Sequence, residues 1–98
     1  MIQHVLKSAD KFQIFRKIIL FGSQAKGTAH KKSDYDFAFE LLSTDSESLL
    51  MWGQLTSILN EKKPKLNSLD LIRMDQISDE FKNNILKDGI VLYSSSND

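Results

Sequence analysis

The chain reads as an α+β domain of two layers, a small sheet carrying helices, and three features of its 98 residues carry that reading. Lys17-Ile18-Ile19-Leu20-Phe21 has the length and β-branched content of a buried strand, and Gly22-Ser23 stops it with a turn signal. From Tyr35 to Leu41 the apolar positions alternate, so that Tyr35, Phe37, Phe39 and Leu41 share one face while Asp34, Asp36, Ala38 and Glu40 share the other. Leu49, Trp52, Leu55 and Leu59, with Met51 and Ile58, recur instead at helical spacing.

Taken in order, the coarse organisation is β, α, β, α, β, α, with no internal repeat and no linker. A short helix is expected over Ile2 to Ala9, and the first strand from Phe15 to Phe21. After a second strand from Asp36 to Leu42, Thr44-Asp45-Ser46-Glu47 has the form of a capping box, opening a helix that lies across the sheet. Glu61-Lys62-Lys63-Pro64-Lys65 breaks that helix, and Pro64 keeps the approach to the next strand, Leu66 to Arg73, extended. Ser78 is an expected N-cap with Asp79 and Glu80 in the favourable first turn, and Gly89 a C-terminal stop. Ile90-Val91-Leu92-Tyr93 closes as a short strand. Residues 1–93 are thus expected to form one domain, and Ser94-Ser95-Ser96-Asn97-Asp98 a disordered tail.

Composition narrows the class. A hydrophobic content of 41% and a charged content of 27% are those of an ordinary soluble globular chain. No stretch approaches the apolar length of a membrane span, and Met1-Ile2-Gln3-His4 lacks the start of a secretion signal. With no Cys there is neither a disulfide framework nor a thiolate metal site, and the cytoplasm is the simplest placement. The formal net charge is zero but unevenly spread: residues 1–32 carry seven Lys and Arg against one acid, and residues 33–98 six against twelve. A neutral total argues against a nonspecific grip on nucleic acid, which rests on many phosphate contacts.

The chemistry-bearing residues lie around the first two strands. Gly22 lets the backbone approach an anion with no Cβ in the way, and the Ser23 hydroxyl with the amides of a following helical turn can donate to it. Gly27 adds a second permissive turn position. Asp34 and Asp36, two residues apart at a strand entrance, sit roughly 6.6 Å apart along the chain and can lean onto one divalent ion. That is oxygen-only, magnesium-type ligation, and crowded carboxylates without an ion raise each other's pKa. The same residues would also serve as a plain polar entry to a strand. Lys17, Lys26, His30, Lys31 and Lys32 surround Gly22-Ser23 either as a solvated basic loop or as groups that favour a polyanion. Glu40, about 13 Å beyond Asp36 along the strand, reads as a rim charge, and Trp52, Tyr93 and the methionines read as packing.

Phe21-Gly22-Ser23-Gln24-Ala25-Lys26-Gly27 followed by Ser33-Asp34-Tyr35-Asp36-Phe37 resembles the signature of the DNA polymerase β-like nucleotidyltransferases: Gly-Ser, ten residues, then Asp-x-Asp. The chain length is similar to that of the minimal nucleotidyltransferases, the antitoxin type paired with helical HEPN toxins. The resemblance extends through Leu69-Asp70-Leu71-Ile72-Arg73 to Tyr93. It implies a nucleotidyltransferase fold, a small mixed sheet with helices on one face and the active site on the other. It further implies catalysis and metal binding by Asp34, Asp36 and Asp70, nucleotide binding by Gly22, Ser23, Lys26 and Gly27, two Mg²⁺ ions, and ATP or another nucleoside triphosphate as donor. Many members carry Arg directly after Gly-Ser, where this chain has Gln24. Lys26 then offers a flexible point charge, not a bidentate fork.

The function so implied is transfer of AMP to a hydroxyl, a Tyr in the leading reading, of a HEPN-type partner, in a homo- or hetero-oligomer. Two alternatives stand beside it: a catalytically weak module that neutralises a partner by covering it, and transfer to a small-molecule acceptor. A chain of this size has no room for a separate acceptor-binding domain, so a transferase built on it borrows a surface.

Overall fold

The structure is a computed structural model that describes residues 1–29, 34–61 and 68–95. Its elements are α1 (Ile2–Asp10), β1 (Phe15–Phe21), α2 (Ser23–Lys26), β2 (Tyr35–Leu41), α3 (Ser46–Glu61), β3 (Leu69–Arg73), a 3₁₀ turn (Met74–Gln76), α4 (Asp79–Asp88) and β4 (Ile90–Ser94). Four strands form one mixed sheet in the order β3-β2-β1-β4. β1 runs antiparallel to both β2 and β4, while β2 and β3 are parallel, with α3 in the crossover between them. A parallel pair needs such a crossover, and the helical spacing after residue 48 supplies it.

The main core lies where α1 and α3 cross one face. Phe37 and Phe39 of β2 are fully buried there against Leu55 and Leu59 of α3 and Val5 and Ala9 of α1. Phe39 stands at 5.0 Å, centroid to centroid, from both Phe15 and Trp52, so Trp52 belongs to the packing. Phe15 joins Ile18 and Leu20 on this face although their parity differs. The β1–β2 register shifts between Phe15 and Lys17, and the extra residue restores the alternation.

The opposite face is less open than the alternation of β2 implies. Ile19, Ala38, Met74 and Ile85 form a second buried cluster there, with Phe21, Ile72 and Ile77 packed against it. The cause lies in β1, a central strand whose run of apolar residues has no polar face and must be covered on both sides. α4 and the 3₁₀ turn provide that cover. The expected open face survives at the Asp36 end of the strand.

Element ends follow local chemistry. The N-cap of α3 is Asp45, not Thr44: its Oδ1 accepts from the Ser48 amide at 2.8 Å and its carbonyl from Leu49 at 3.0 Å. Hydrogen bonds from Ser48 hold the Asp45 carboxyl below its ordinary value. Ser78 caps α4 as expected, accepting from the Phe81 amide at 3.1 Å. Gly89 ends α4 in an extended conformation, φ −81° and ψ 166°, and not the left-handed one of a typical stop. Glycine is needed there for closeness, since a Cβ would lie 2.5 Å from the Ile85 carbonyl and 2.6 Å from Ile19 Cγ2. The last strand runs on to Ser94, and the Ser95 amide donates to the Arg16 carbonyl at 2.8 Å, so order extends past Tyr93. The break at residues 62–65, the strand start at residues 66–67 and the tail at residues 96–98 lie outside the described residues.

Emptying the main core is expected to be costly. Phe39→Ala, at a position with 0% exposure, should lose about 3–5 kcal/mol, read from the urea midpoint, whereas Leu50→Ala, 64% exposed, should change it by less than about 0.5 kcal/mol.

Candidate functional site

The site forms where β1 ends beside the start of β2. In the antiparallel register Phe21 lies opposite Asp36, so the residue that follows Phe21 passes directly over the Asp36 side chain. That residue is Gly22, with φ 75° and ψ −158°. A Cβ built on it would fall on Asp36 Oδ2 and within 3.1 Å of Cγ, so two independent constraints, backbone conformation and proximity, both require glycine. From Gly22 the chain enters α2 at once: the Ala25 and Lys26 amides donate to the Gly22 carbonyl at 3.1 and 3.2 Å. The amides at Gly22 and Ser23 precede Ala25, whose amide donates to the Gly22 carbonyl, as at any helix start. Gly27, at φ 74°, ends the turn in the left-handed conformation.

On its other side β2 pairs with β3 in parallel, and the register sets Asp36 next to Asp70. The Tyr35 amide donates to the Ser68 carbonyl at 2.9 Å, which fixes that register at the strand entrance. Asp36 is half-buried, while Asp34, one residue before the strand, and Asp70 are exposed. The Asp36 carboxyl is raised above its ordinary value of 3.8, first by burial, then by the charges of Asp70 and Asp34, and by a hydrogen bond with Asp70.

The structure therefore brings Asp36, Asp70 and Gly22 together and keeps Asp34 within electrostatic reach. Among the described residues no group of three or more Asp, Glu or His is closed into a metal cage. The donor set nevertheless fits a hard divalent cation: every donor is a carboxylate oxygen, and Asp36 holds its negative charge reluctantly until a positive charge relieves it. Ser23 begins α2 and is half-buried, and Lys26, in its last turn, is exposed. Gln24, half-buried, takes the place after Gly-Ser. Glu40 sits opposite Lys17, toward the far end of the sheet. Ser33 and the basic residues His30, Lys31 and Lys32 lie outside the described residues.

One neighbour of the site escapes a reading of motifs. Phe21, cross-strand from Asp36, meets Phe81 of α4 edge to face, with centroids 5.9 Å apart and planes at 81°. The signal for it lies in spacing: Phe81 and Ile85, four residues apart, share a helix face.

Comparison with known proteins is consistent with this geometry. Residues 2–98 match the family model described as polymerase beta, nucleotidyltransferase. The chain belongs to this family. Among solved structures similar to this nucleotidyltransferase, a chain from a toxin–antitoxin crystallised with AMP-PNP superposes with a TM-score of 0.64 and 26% identity, over 98% of this chain and 73% of that one. A chain of the toxin–antitoxin MntA-HepT gives 0.58 at 20% identity, over 97% and 71%. A structure of tri-AMPylated Shewanella oneidensis HEPN toxin in complex with MNT antitoxin gives 0.55 at 20% identity, over 99% and 76%. The last two show the shared fold alone. No curated protein matches the chain.

Two outcomes test the geometry. Gly22→Ala should destabilise by about 1–3 kcal/mol in chemical denaturation and more than Gly27→Ala, since both sites have positive φ but only Gly22 has a neighbour within 4 Å of the added methyl. For Asp36 the sign follows from linkage. Its raised value means the fold favours the neutral acid, so its contribution is full below the unfolded value near 3.8 and is lost as pH rises through the folded value. Asp36→Asn should therefore melt higher than the wild type at pH 7 in EDTA, with the gap closing as pH falls toward 3.8, as scanning calorimetry can measure.

Proposed function

We propose that this nucleotidyltransferase transfers AMP from ATP to a hydroxyl of a HEPN-type protein, a Tyr in the leading form of the reading, and so acts as the antitoxin of a toxin–antitoxin pair. The observation that carries the chemistry is the register that sets Asp36 between Asp70 and a glycine with no room for a side chain. The partner is supported by the similar solved structures, complexes of HEPN toxin with MNT antitoxin and of a toxin–antitoxin with AMP-PNP.

In this reading Asp34, Asp36 and Asp70 hold Mg²⁺, with two ions expected. Bound there, the metal neutralises phosphate charge and makes the acceptor hydroxyl more acidic. The chain's own residues orient the reaction. Ser23 donates its hydroxyl, and the backbone at Gly22 its amide, to the outer phosphates, so that pyrophosphate leaves without reorganisation of the site. Gly27 lets the loop fold back, and Lys26 adds a mobile positive charge at its rim. Gln24 offers neutral donors where a charged fork is common, which leaves Lys26 as the charged side chain of that turn. Asp70, exposed at the edge of the carboxylate pair, is the side chain placed to receive the proton of the acceptor as its oxygen attacks the α-phosphorus.

The test is to incubate the protein with labelled ATP, Mg²⁺ and a helical HEPN-type protein, and to look for added mass on that partner. Transfer is expected, and Asp36→Ala should reduce it at least about a hundredfold, since even outer-shell groups of metal sites matter by tenfold to a hundredfold. Tight binding of the partner without transfer would overturn the enzyme reading in favour of a module that neutralises by coverage.

A further inference from the structure

The nucleotidyltransferase reading accounts for phosphate and metal but leaves the nucleobase without a seat. A candidate lies at the same end of the sheet. Ile85 of α4 is 2% exposed, pressed into the second cluster on the site's face, whereas Phe81, one helical turn earlier on the same stripe, is 42% exposed. The stripe thus overruns the sheet and carries a large aromatic ring past its covered part. Its direction is set by Phe21, the cross-strand neighbour of Asp36 and the residue just before Gly22. The ring planes stand at 81°, so Phe21 occupies at most one face of Phe81 or only its edge. Phe21 therefore does not sandwich Phe81, which stays 42% exposed beside the Gly22-Ser23 turn, and the bond from its own amide to the Ser78 hydroxyl pins the backbone that carries it.

The geometry points to Phe81, backed by Phe21, as the platform on which the base of a bound nucleoside triphosphate stacks, an inference that rests on the nucleotide-transfer reading above. A flat apolar ring offers no hydrogen-bond code, so the platform raises affinity for any nucleotide over phosphate alone and selects weakly among bases. It also supplies an anchor that does not depend on the charge of the loop, which matters in a chain with Gln24 after Gly-Ser.

Titration calorimetry in Mg²⁺ with two probes separates this role from a structural one. AMP-PNP carries a base, and inorganic tripolyphosphate does not. Wild-type protein should bind AMP-PNP more tightly. Phe81→Ala and the better-packed Phe81→Leu should each weaken AMP-PNP about tenfold or more while leaving tripolyphosphate within about twofold, and Phe81→Tyr should restore the difference. Tripolyphosphate binding serves as the check that each variant is folded. An equal loss on both probes, or no loss on AMP-PNP, overturns the stacking role alone. Absence of binding to either probe by the wild type overturns the nucleotide site and the stacking role together.

Discussion

Crowding at a single side chain governs this molecule. Asp36 sits in the middle of a sheet whose two neighbouring strands bring it, on one side, a glycine backbone with a positive φ and, on the other, a second carboxylate in register. Neither neighbour can move independently. The β1–β2 ladder that places Gly22 over Asp36 is the same one that stacks Leu20 against Phe37 and Ile18 against Phe39 in the main core. A slip by one residue would turn every aromatic of β2 to the wrong face, so the energy that specifies the core also specifies the site. The cost of crowding appears in the raised carboxyl of Asp36, with part of its water removed and, after that, charge held close to charge.

Two cores on opposite faces make that arrangement rigid. Had the site's face been bare, β1 would have exposed Ile19 and Phe21 to water, and the strand that delivers Gly22 would have been held from one side only. α4 closes over Ile19 and Ala38 through Ile85, and the missing side chain of Gly89 lets the helix end against Ile19 at van der Waals range. Ala38 has the right size for this. A larger residue between Asp36 and Glu40 would lift α4 from the sheet. The cover stops short of Asp36, and the boundary between packed and open sheet lies at Phe21 and Phe81.

What could be read from the chain alone divides along the same line. Periodicity showed β2 and α3 almost to the residue, because Phe37, Phe39, Leu55 and Leu59 face one core and leave a clean alternation. The Gly-Ser and Asp-x-Asp positions were legible because turn chemistry and strand parity are local. Asp70 needed the resemblance: its pairing with Asp36 spans a crossover helix, and no local pattern states which residue of β3 will lie beside which residue of β2. The second cluster was missed because an apolar run such as Ile18-Ile19-Leu20 is consistent with burial on one face or both. The cap of α3 was misplaced by one residue for a simpler reason, since Asp45 competes for the same amides as a Thr-first box and its carboxylate reached Ser48. Ser94 and Ser95 have the composition of a tail, but pairing along β1 overrides a polar sequence when the neighbouring strand offers backbone partners.

The exposure of the three aspartates follows from this construction and bears on how such a site can act. Asp36 is half-buried because two strands flank it; Asp70 is exposed because β3 is the edge of the sheet on that side, and Asp34 because it precedes the strand. Under the proposed reading the flanked carboxylate is the fixed anchor shared by any bound ion, while the two exposed ones can adjust to what arrives. β3 is five residues long and ends at once in the 3₁₀ turn, where Arg73 is engaged by Asp75 at 2.7 Å. Under the proposed reading the acceptor hydroxyl arrives on a protein partner, across the β3 edge toward Asp70. The exposed carboxylate at the β3 edge is the side from which the protein acceptor of the proposed reading would approach.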